Sequence, residues 1–443
     1  MAAKRKIQDN NHLYNFLRHY VDIALRLSYR TIKYVGRERL PRDGAIIFAP
    51  NHTNALMDAM VILAMDHRPK VFVARADIFK NPTLAKILSF LKIMPIMRMR
   101  DGIDEVRKNN ETIERAVDVL RDKVPFCIFP EGTHQAKYSS LPLSKGIFRI
   151  AFQAQELMPD MPLYIVPVGI RYGNFFRFRS TVRVEIGDAI NVGEFVAKHD
   201  SLSAPEQMNL LKDLLDERMK RQILFIPNDE NYDAVYEICA AVARIQLRNM
   251  RHDRELSGLR GVDAQFAASK MTVKHIEHVK EDNAELYAEL MALGHRASQL
   301  RHEQKISLSS VVVKHSALMR VVRLLIFILM LPYSLPAMVL TLPIVGLCKF
   351  IFTHLKDYAF RNSVRYFINL IVWPVLMIIY AVVAYAVLPW QWALVGTIAA
   401  LPAPIVAHEV YRLVRILRSD IRLLRNRDLR AIYVKIREII FTK

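Results

Sequence analysis

"AIIFAPNHTNALMDAMVILAM" (residues 45–65) sets two periodicities back to back. Ala45–Pro50 is a short, uninterrupted apolar run, the pattern of a strand covered on both faces. "ALMDAMVILAM" reads as a helix, with Thr53 and Asn54 just ahead of it as candidate N-caps. The intervening turn carries His52, and the helix carries Asp58 among apolar neighbours. Burying an imidazole and a carboxylate is costly unless both are satisfied. On one continuous helix, at about 100° per residue, the two would lie well apart around the axis. They meet only if His52 stands in the turn before the helix begins. Asp58 then accepts from one ring nitrogen and leaves the other as a general base for a hydroxyl.

The alternation continues outward. Further strands are expected at "KVFVAR" (70–75), "PFCIFP" (125–130), "YIVPVGI" (164–170) and "TVRVEIG" (181–187). Helical patterns lie between them, around 55–65, 82–91, 105–121 and 146–157. Short apolar strands separated by helices predict an α/β domain, a mixed sheet flanked by helices, over residues 40–203. Ahead of it, residues 1–39 read as an amphipathic helical segment, with Arg18, Arg26, Arg30 and Lys33 set among apolar positions of 13–35. Such a helix suits a bilayer surface or the domain behind it. The start "MAAKRKIQDNNHLYNFL" has neither the apolar core nor the cleavage site of a signal peptide.

Residues 204–319 are charged and poor in Pro, and read as long helices forming an insert or arm. A partner-binding coiled coil is the lesser alternative, since the heptads are irregular. From 320 to 410 the chain is strongly apolar. "LLIFILMLPYSLPAMVLTLPIVGLCKFIF" (324–352) contains Pro332, Pro336 and Pro343, which leaves a straight span and a broken or re-entrant segment both open. "YFINLIVWPVLMIIYAVVAYAVL" (366–388) is uncharged over about the length that crosses ~30 Å of hydrocarbon, and "WQWALVGTIAALPAPIVA" (390–407) follows. Trp390 and Trp392 suit an interface. Basic residues precede the zone, lie between its first two runs and follow the last, so the positive-inside rule holds all three on the cytoplasmic side. The first run is then expected to dip in and return, and the next two to cross out and back. Residues 411–443, rich in Arg, read as a basic amphipathic tail for anionic headgroups.

The net charge of +20 calls for an anionic partner. No zinc-type spacing or RNA-binding aromatic motif accompanies it, so anionic membrane lipid is expected and nucleic acid is not. Three scattered cysteines, Cys127, Cys239 and Cys348, fit a reducing compartment rather than a disulfide framework.

Three more stretches keep company with His52 and Asp58. "FPEGTHQ" (129–135) closes a strand with Glu131, Gly132 and Thr133, a turn able to present main-chain N–H groups to an anion. "KIMPIMRMRDG" (92–102) brings out Arg98 and Arg100, suited to bidentate capture of phosphate. "LPLSKGIFRIAF" (141–152) offers Lys145 at a helix start.

In this order the blocks "NHTNALMD", "KIMPIMR", "FPEGT" and "YIVPVGI" resemble the glycerolipid acyltransferase superfamily, the PlsC-like lysophosphatidate and glycerol-3-phosphate acyltransferases, over about residues 36–190. Two departures stand out. Five residues rather than four separate His52 from Asp58, and His134 stands where the family often has Arg. The longer spacing and the apolar C-terminal region resemble the divergent branch of fungal-type glycerol-3-phosphate acyltransferases and related bacterial proteins.

The resemblance implies a membrane-bound O-acyltransferase of phospholipid biosynthesis, with its catalytic domain on the cytoplasmic face of a bacterial inner membrane. It would use no metal or cofactor, only acyl-CoA or acyl carrier protein as co-substrate. His52 and Asp58 would be catalytic, with glycerol-3-phosphate or lysophosphatidate as acceptor. Arg98, Arg100, Glu131, Gly132, Thr133 and Lys145 would hold that acceptor, and main-chain N–H groups near Gly132 or the His52 turn would meet the oxyanion. A remodelling enzyme for another lysolipid and a non-catalytic membrane scaffold are the alternatives, and a scaffold has no need of these residues.

Overall fold

The apolar run Ala45–Pro50 is a strand buried along its whole length. The computed structural model describes residues 6–96, 109–313, 316–355 and 357–441. Arg98 and Arg100 lie outside the described residues. The chain divides into two units, Met1–Ile223 with Lys356–Tyr366, and Leu224–Leu355 with Phe367–Lys443.

The first unit holds one mixed sheet of strands β1 (Tyr29–Val35), β2 (Ala45–Pro50), β3 (Val71–Arg75), β4 (Ile93–Ile96), β5 (Phe126–Cys127), β6 (Leu163–Tyr172), β7 (Ser180–Ile186) and β8 (Ile190–Asn191). Their order is β1-β7-β6-β2-β5-β3-β4, with β8 also on β6. Pairing is parallel except where β6 meets β7 and β8. Around the sheet lie helices α1 (His12–Ser28), α2 (Leu56–Leu63), α3 (Pro82–Phe90), α4 (Asn109–Arg121), α5 (Gly146–Leu157), α6 (Val192–Lys198) and α7 (Ala204–Gln222). Ala45, Ile47 and Ala49 of β2 share a core with Val117 and Leu120 of α4, Phe148 and Ala151 of α5, and Leu211 and Leu215 of α7. Ile46 and Phe48, pointing the other way, are buried as well. A central strand covered on both faces needs no polar alternation, which is why β2 reads as a continuous apolar run.

Two boundaries differ from the sequence reading. The expected N-terminal helix stops at Ser28, and "YRTIKYV" becomes edge strand β1, parallel to β7. Its β-branched and aromatic residues fit a pleated surface better than a helix. Helix α7, grouped by composition with the charged arm, instead packs into the core of the first unit. Its charged residues face out, and only the stripe Leu211, Leu215, Met219 betrays the contact.

In the second unit, α8 (Tyr232–Met250), α9 (Gly261–Asp282), α10 (Ala284–Glu303) and α11 (Leu308–Val312) precede α12 (Ala317–His354). Buried Glu237 accepts from Arg301 Nε at 2.7 Å and from the Tyr433 hydroxyl at 2.6 Å, so the interior charge is matched. The expected dip of the first apolar run is not seen: α12 is one 38-residue helix running through Pro332, Pro336 and Pro343. Helix α13 (Phe360–Val387) is the second apolar helix. Two helices are thus long and apolar enough to cross a membrane, or three if α14 (Trp390–Ala400) and α15 (Ala403–Arg425), bent by 51°, form one span. Trp390 and Trp392 are exposed, whereas Trp373 is buried. The tail is not all free surface, because α16 (Arg427–Phe441) buries Leu429, Tyr433 and Ile436.

Close packing of α7 on β6 is tested by Gly169, where an added Cβ would stand 2.3 Å from the Gln222 carbonyl oxygen. We expect Gly169→Ala to lower stability by about 1–3 kcal/mol through overpacking. Thermal unfolding checks this, and an unchanged midpoint would mean that α7 yields freely.

Candidate active site

His52 occupies the turn that leaves β2, and helix α2 starts only at Leu56. The N-cap position is Ala55, at φ 45° and ψ −129°, without a side-chain cap. Thr53 and Asn54 are therefore not the capping side chains expected of them. The polarity is reversed: their backbone N–H groups donate to Asp58 Oδ2, each at 2.7 Å. His52 Nδ1 lies 2.8 Å from the same oxygen, and the Tyr172 hydroxyl donates to Oδ1 at 2.7 Å. Asp58 is fully buried, and all four partners present donors to it. With Nδ1–H donating, Nε2 is the basic nitrogen, and it has no hydrogen-bond partner among the described residues. The strained φ at Ala55 is what lets the turn fold back so that His52 and Asp58 meet across six positions.

Asn51 fixes where this turn begins. Its side chain accepts from Ile170 N at 2.6 Å and donates to Ile170 O at 3.1 Å, tying the end of β2 to β6. Asn54 Nδ2 donates to Phe175 O at 2.6 Å just beyond β6.

The FPEGT loop lies against the same turn. Gln135 N donates to His52 O at 3.1 Å, and the Phe129 ring stacks on the imidazole with centroids 4.2 Å apart. Gly132, at φ +65°, closes a turn by donating its N–H to Phe129 O at 3.1 Å. That N–H is thus engaged and does not point free toward an oxyanion, as the sequence reading expected of this region. Thr133 is exposed on the same loop. Lys145 is exposed at the N-terminus of α5, next in chain to Ser144, whose N–H bonds Pro130 O at 2.7 Å.

Glu131 is buried, and neither carboxylate oxygen has a hydrogen-bond partner among the described residues. Burial pushes its pKa up to about 8, against a weaker pull downward from the His52 and Leu141 backbone. Thr53 Oγ1 and Asn54 Oδ1 are likewise buried without partners. Each such atom costs about 1–3 kcal/mol.

The structure thus brings His52, Asp58, Glu131, Gly132 and Thr133 together, with Lys145 alongside. Sequence reading missed Tyr172, which lies two residues beyond the expected strand 164–170, at the end of β6. It also missed Asp357, whose Oδ2 lies 2.8 Å from Nε2 of His134. The signal was present, since Asp357 is the one acid among the basic residues between the two apolar runs. The His134 ring stands edge-on to His52 at 5.2 Å.

Residues 31–171 match the family model described as Acyltransferase. Over 244 residues the chain is 25% identical to glycerol-3-phosphate O-acyltransferase 2 of Saccharomyces cerevisiae, a match covering 54% of this chain and 32% of that protein. It is 24% identical over 148 residues to the 1-acyl-sn-glycerol-3-phosphate acyltransferase of Borreliella burgdorferi, covering 33% of this chain and 57% of the relative. The chain therefore spans less than two thirds of either relative's length. Among solved structures, PlsC of Thermotoga maritima, a 1-acyl-sn-glycerophosphate acyltransferase, aligns with 20% identity and a TM-score of 0.35, over 47% of this chain and 77% of that one.

The Glu131 environment makes a pH prediction. A carboxyl whose folded pKa is raised stabilises the fold below its unfolded value, and that contribution is lost as pH rises to about 8. Glu131→Gln removes the titration. We expect the melting temperature of wild type to fall relative to Glu131→Gln as pH rises from about 5 to about 8. Parallel melting curves across that range would contradict the assigned environment.

Proposed function

We propose that the chain is a membrane-bound O-acyltransferase that moves a fatty acyl group from an acyl thioester, acyl-CoA or acyl carrier protein, to a hydroxyl of glycerol-3-phosphate or its 1-acyl derivative. One observation carries this reading: His52 is held through Nδ1 by Asp58 at 2.8 Å, with Nε2 unpaired among the described residues. Nε2 takes the hydroxyl proton as that oxygen attacks the thioester carbonyl, and the imidazolium returns the proton to the departing thiolate as the C–S bond breaks. Asp58 holds the tautomer and faces the cation that forms.

The acceptor is a glycerol phosphate on two grounds. The relatives' names share that chemistry. The exposed hydroxyl of Thr133, on the loop that packs against His52, suits a polyol. Lys145 is the described cation beside the loop, and Arg98 and Arg100 complete the proposed phosphate set. Helix α1 supplies the lipid side: Leu13, Phe16, Tyr20, Ile23 and Leu27 are exposed at helical spacing while Tyr14, Arg18 and Leu25 face inward. With α12 and α13 as spans, the positive-inside rule puts the domain on the cytoplasmic face. Concentrating acceptor and donor at one surface then lowers the barrier through proximity.

The test is purified protein in detergent with labelled acyl-CoA and, separately, glycerol-3-phosphate, lysophosphatidate and other lysolipids. Acyl transfer to one of the first two is expected, and His52→Ala should reduce it by about 10²–10⁴-fold. Thioester loss that needs no acceptor, or that survives His52→Ala, would refute the mechanism.

A further inference from the structure

The segment joining the two apolar helices belongs to the catalytic unit: Lys356–Tyr366 groups with Met1–Ile223, while the chain on both sides of it lies in the other unit. Three separate routes run from it to His52 and Asp58. First, Asp357 Oδ2 pairs with His134 Nε2 at 2.8 Å, and the His134 ring meets His52 edge-on at 5.2 Å. Second, Asn362 Nδ2 donates to the Tyr29 hydroxyl at 3.0 Å, and the Tyr29 ring packs on that of Tyr172, with centroids 6.0 Å apart, while Tyr172 donates to Asp58 Oδ1 at 2.7 Å. Third, Arg365 donates to the carbonyl of Phe176, whose neighbour Phe175 accepts from Asn54, the residue whose own N–H bonds Asp58.

We propose that residues 357–366 are a working part of the active site, with Asp357 and Asn362 as positioning residues for His52 and Asp58. The proposal rests on the acyl-transfer reading. Stability alone does not account for Asp357. Its side chain is half exposed, and an ion pair that open contributes little to folding. What the pair does fix is the angle of the His134 ring, itself wedged between His52 and the edge of Phe360, 5.5 Å away. The Ala359 N–H and His134 overcome the opposing effect of burial and hold the Asp357 carboxyl below the usual range, so it faces His134 as an anion. Asn362 and Tyr29, by contrast, are buried, and their bond has no water to replace it. One route therefore steers the imidazole from its exposed side and the other steers the carboxylate from the interior. Through the segment's two ends, the dyad is covalently continuous with the apolar helices.

The test uses the full chain in detergent, with kcat and KM measured for each substrate. Asp357→Ala and Asn362→Ala should each lower kcat about tenfold, the scale of one lost hydrogen bond to a charged group, with KM within about twofold. Asp357→Glu should recover most of the loss. Asp357→Ala combined with His134→Ala should be no slower than His134→Ala alone, since the two act as a unit. A kcat within about twofold of wild type in both alanine variants would overturn the proposal. So would a loss that merely follows the fraction of protein unfolded in a thermal scan. A second readout needs no turnover: carbethoxylation of His134 by diethyl pyrocarbonate, followed by mass spectrometry, should be several-fold faster in Asp357→Ala. Unchanged labelling counts against the segment's role. A wild-type protein that labels as expected yet transfers no acyl group would instead sink the proposed reaction.

Discussion

The carboxylate of Asp58 is the constraint around which the catalytic unit is arranged. It is fully buried, and an unsatisfied charge in that position would be prohibitive. Four donors answer it, and they come from two places only, the turn 52–54 and the end of β6. Two of the four are the turn's own backbone N–H groups, so the bonds that satisfy the anion also dictate the shape of the turn. The aim of His52 is a by-product of that shape. So is the strained backbone at Ala55, which persists because the surrounding bonds over-determine it.

A second acid nearby lives under opposite conditions. Glu131 is buried too, but neither carboxylate oxygen makes a geometrically good hydrogen bond among the described residues, and the His52 and Leu141 backbone only weakly favours its charge. One carboxylate is saturated and the other is left wanting, within a single site. Environments that differ this much are how two chemically similar acids take different tasks. Asp58 anchors the turn that carries His52, whereas burial raises the pKa of Glu131 to about 8.

How much of this was legible in the sequence depends on how local the physics was. The strand Ala45–Pro50, the break at Asn51–Asn54 and helices such as Gly146–Leu157 rest on short-range pattern, and the sequence reading placed them closely. The meeting of His52 with Asp58 was inferable because only one local geometry permits it. Strand β1 was misread because its identity comes from pairing with β7 far along the chain, and α7 because three apolar residues in a charged helix are a faint mark of burial. Tyr172, which donates to Asp58, and Tyr29, which accepts from Asn362, were invisible for the same reason, since nothing near them in sequence announces a partner. The capping error at Thr53 and Asn54 was subtler: the residue types were right for a polar turn, but the donors used were main-chain atoms, which every residue possesses.

The bond between Asn362 and Tyr29 closes a span of 333 positions, and that between Asp357 and His134 one of 223. Translation is vectorial, so a growing chain that has already completed every strand of the sheet still lacks these links. The ribosome must first deliver the whole of Ala317–His354, the first of the two long apolar helices. A nascent chain therefore holds an unfinished imidazole until that helix has emerged and found its surroundings. If these links position the dyad as proposed, the order of synthesis holds the catalyst below its full rate until its hydrophobic part has been made.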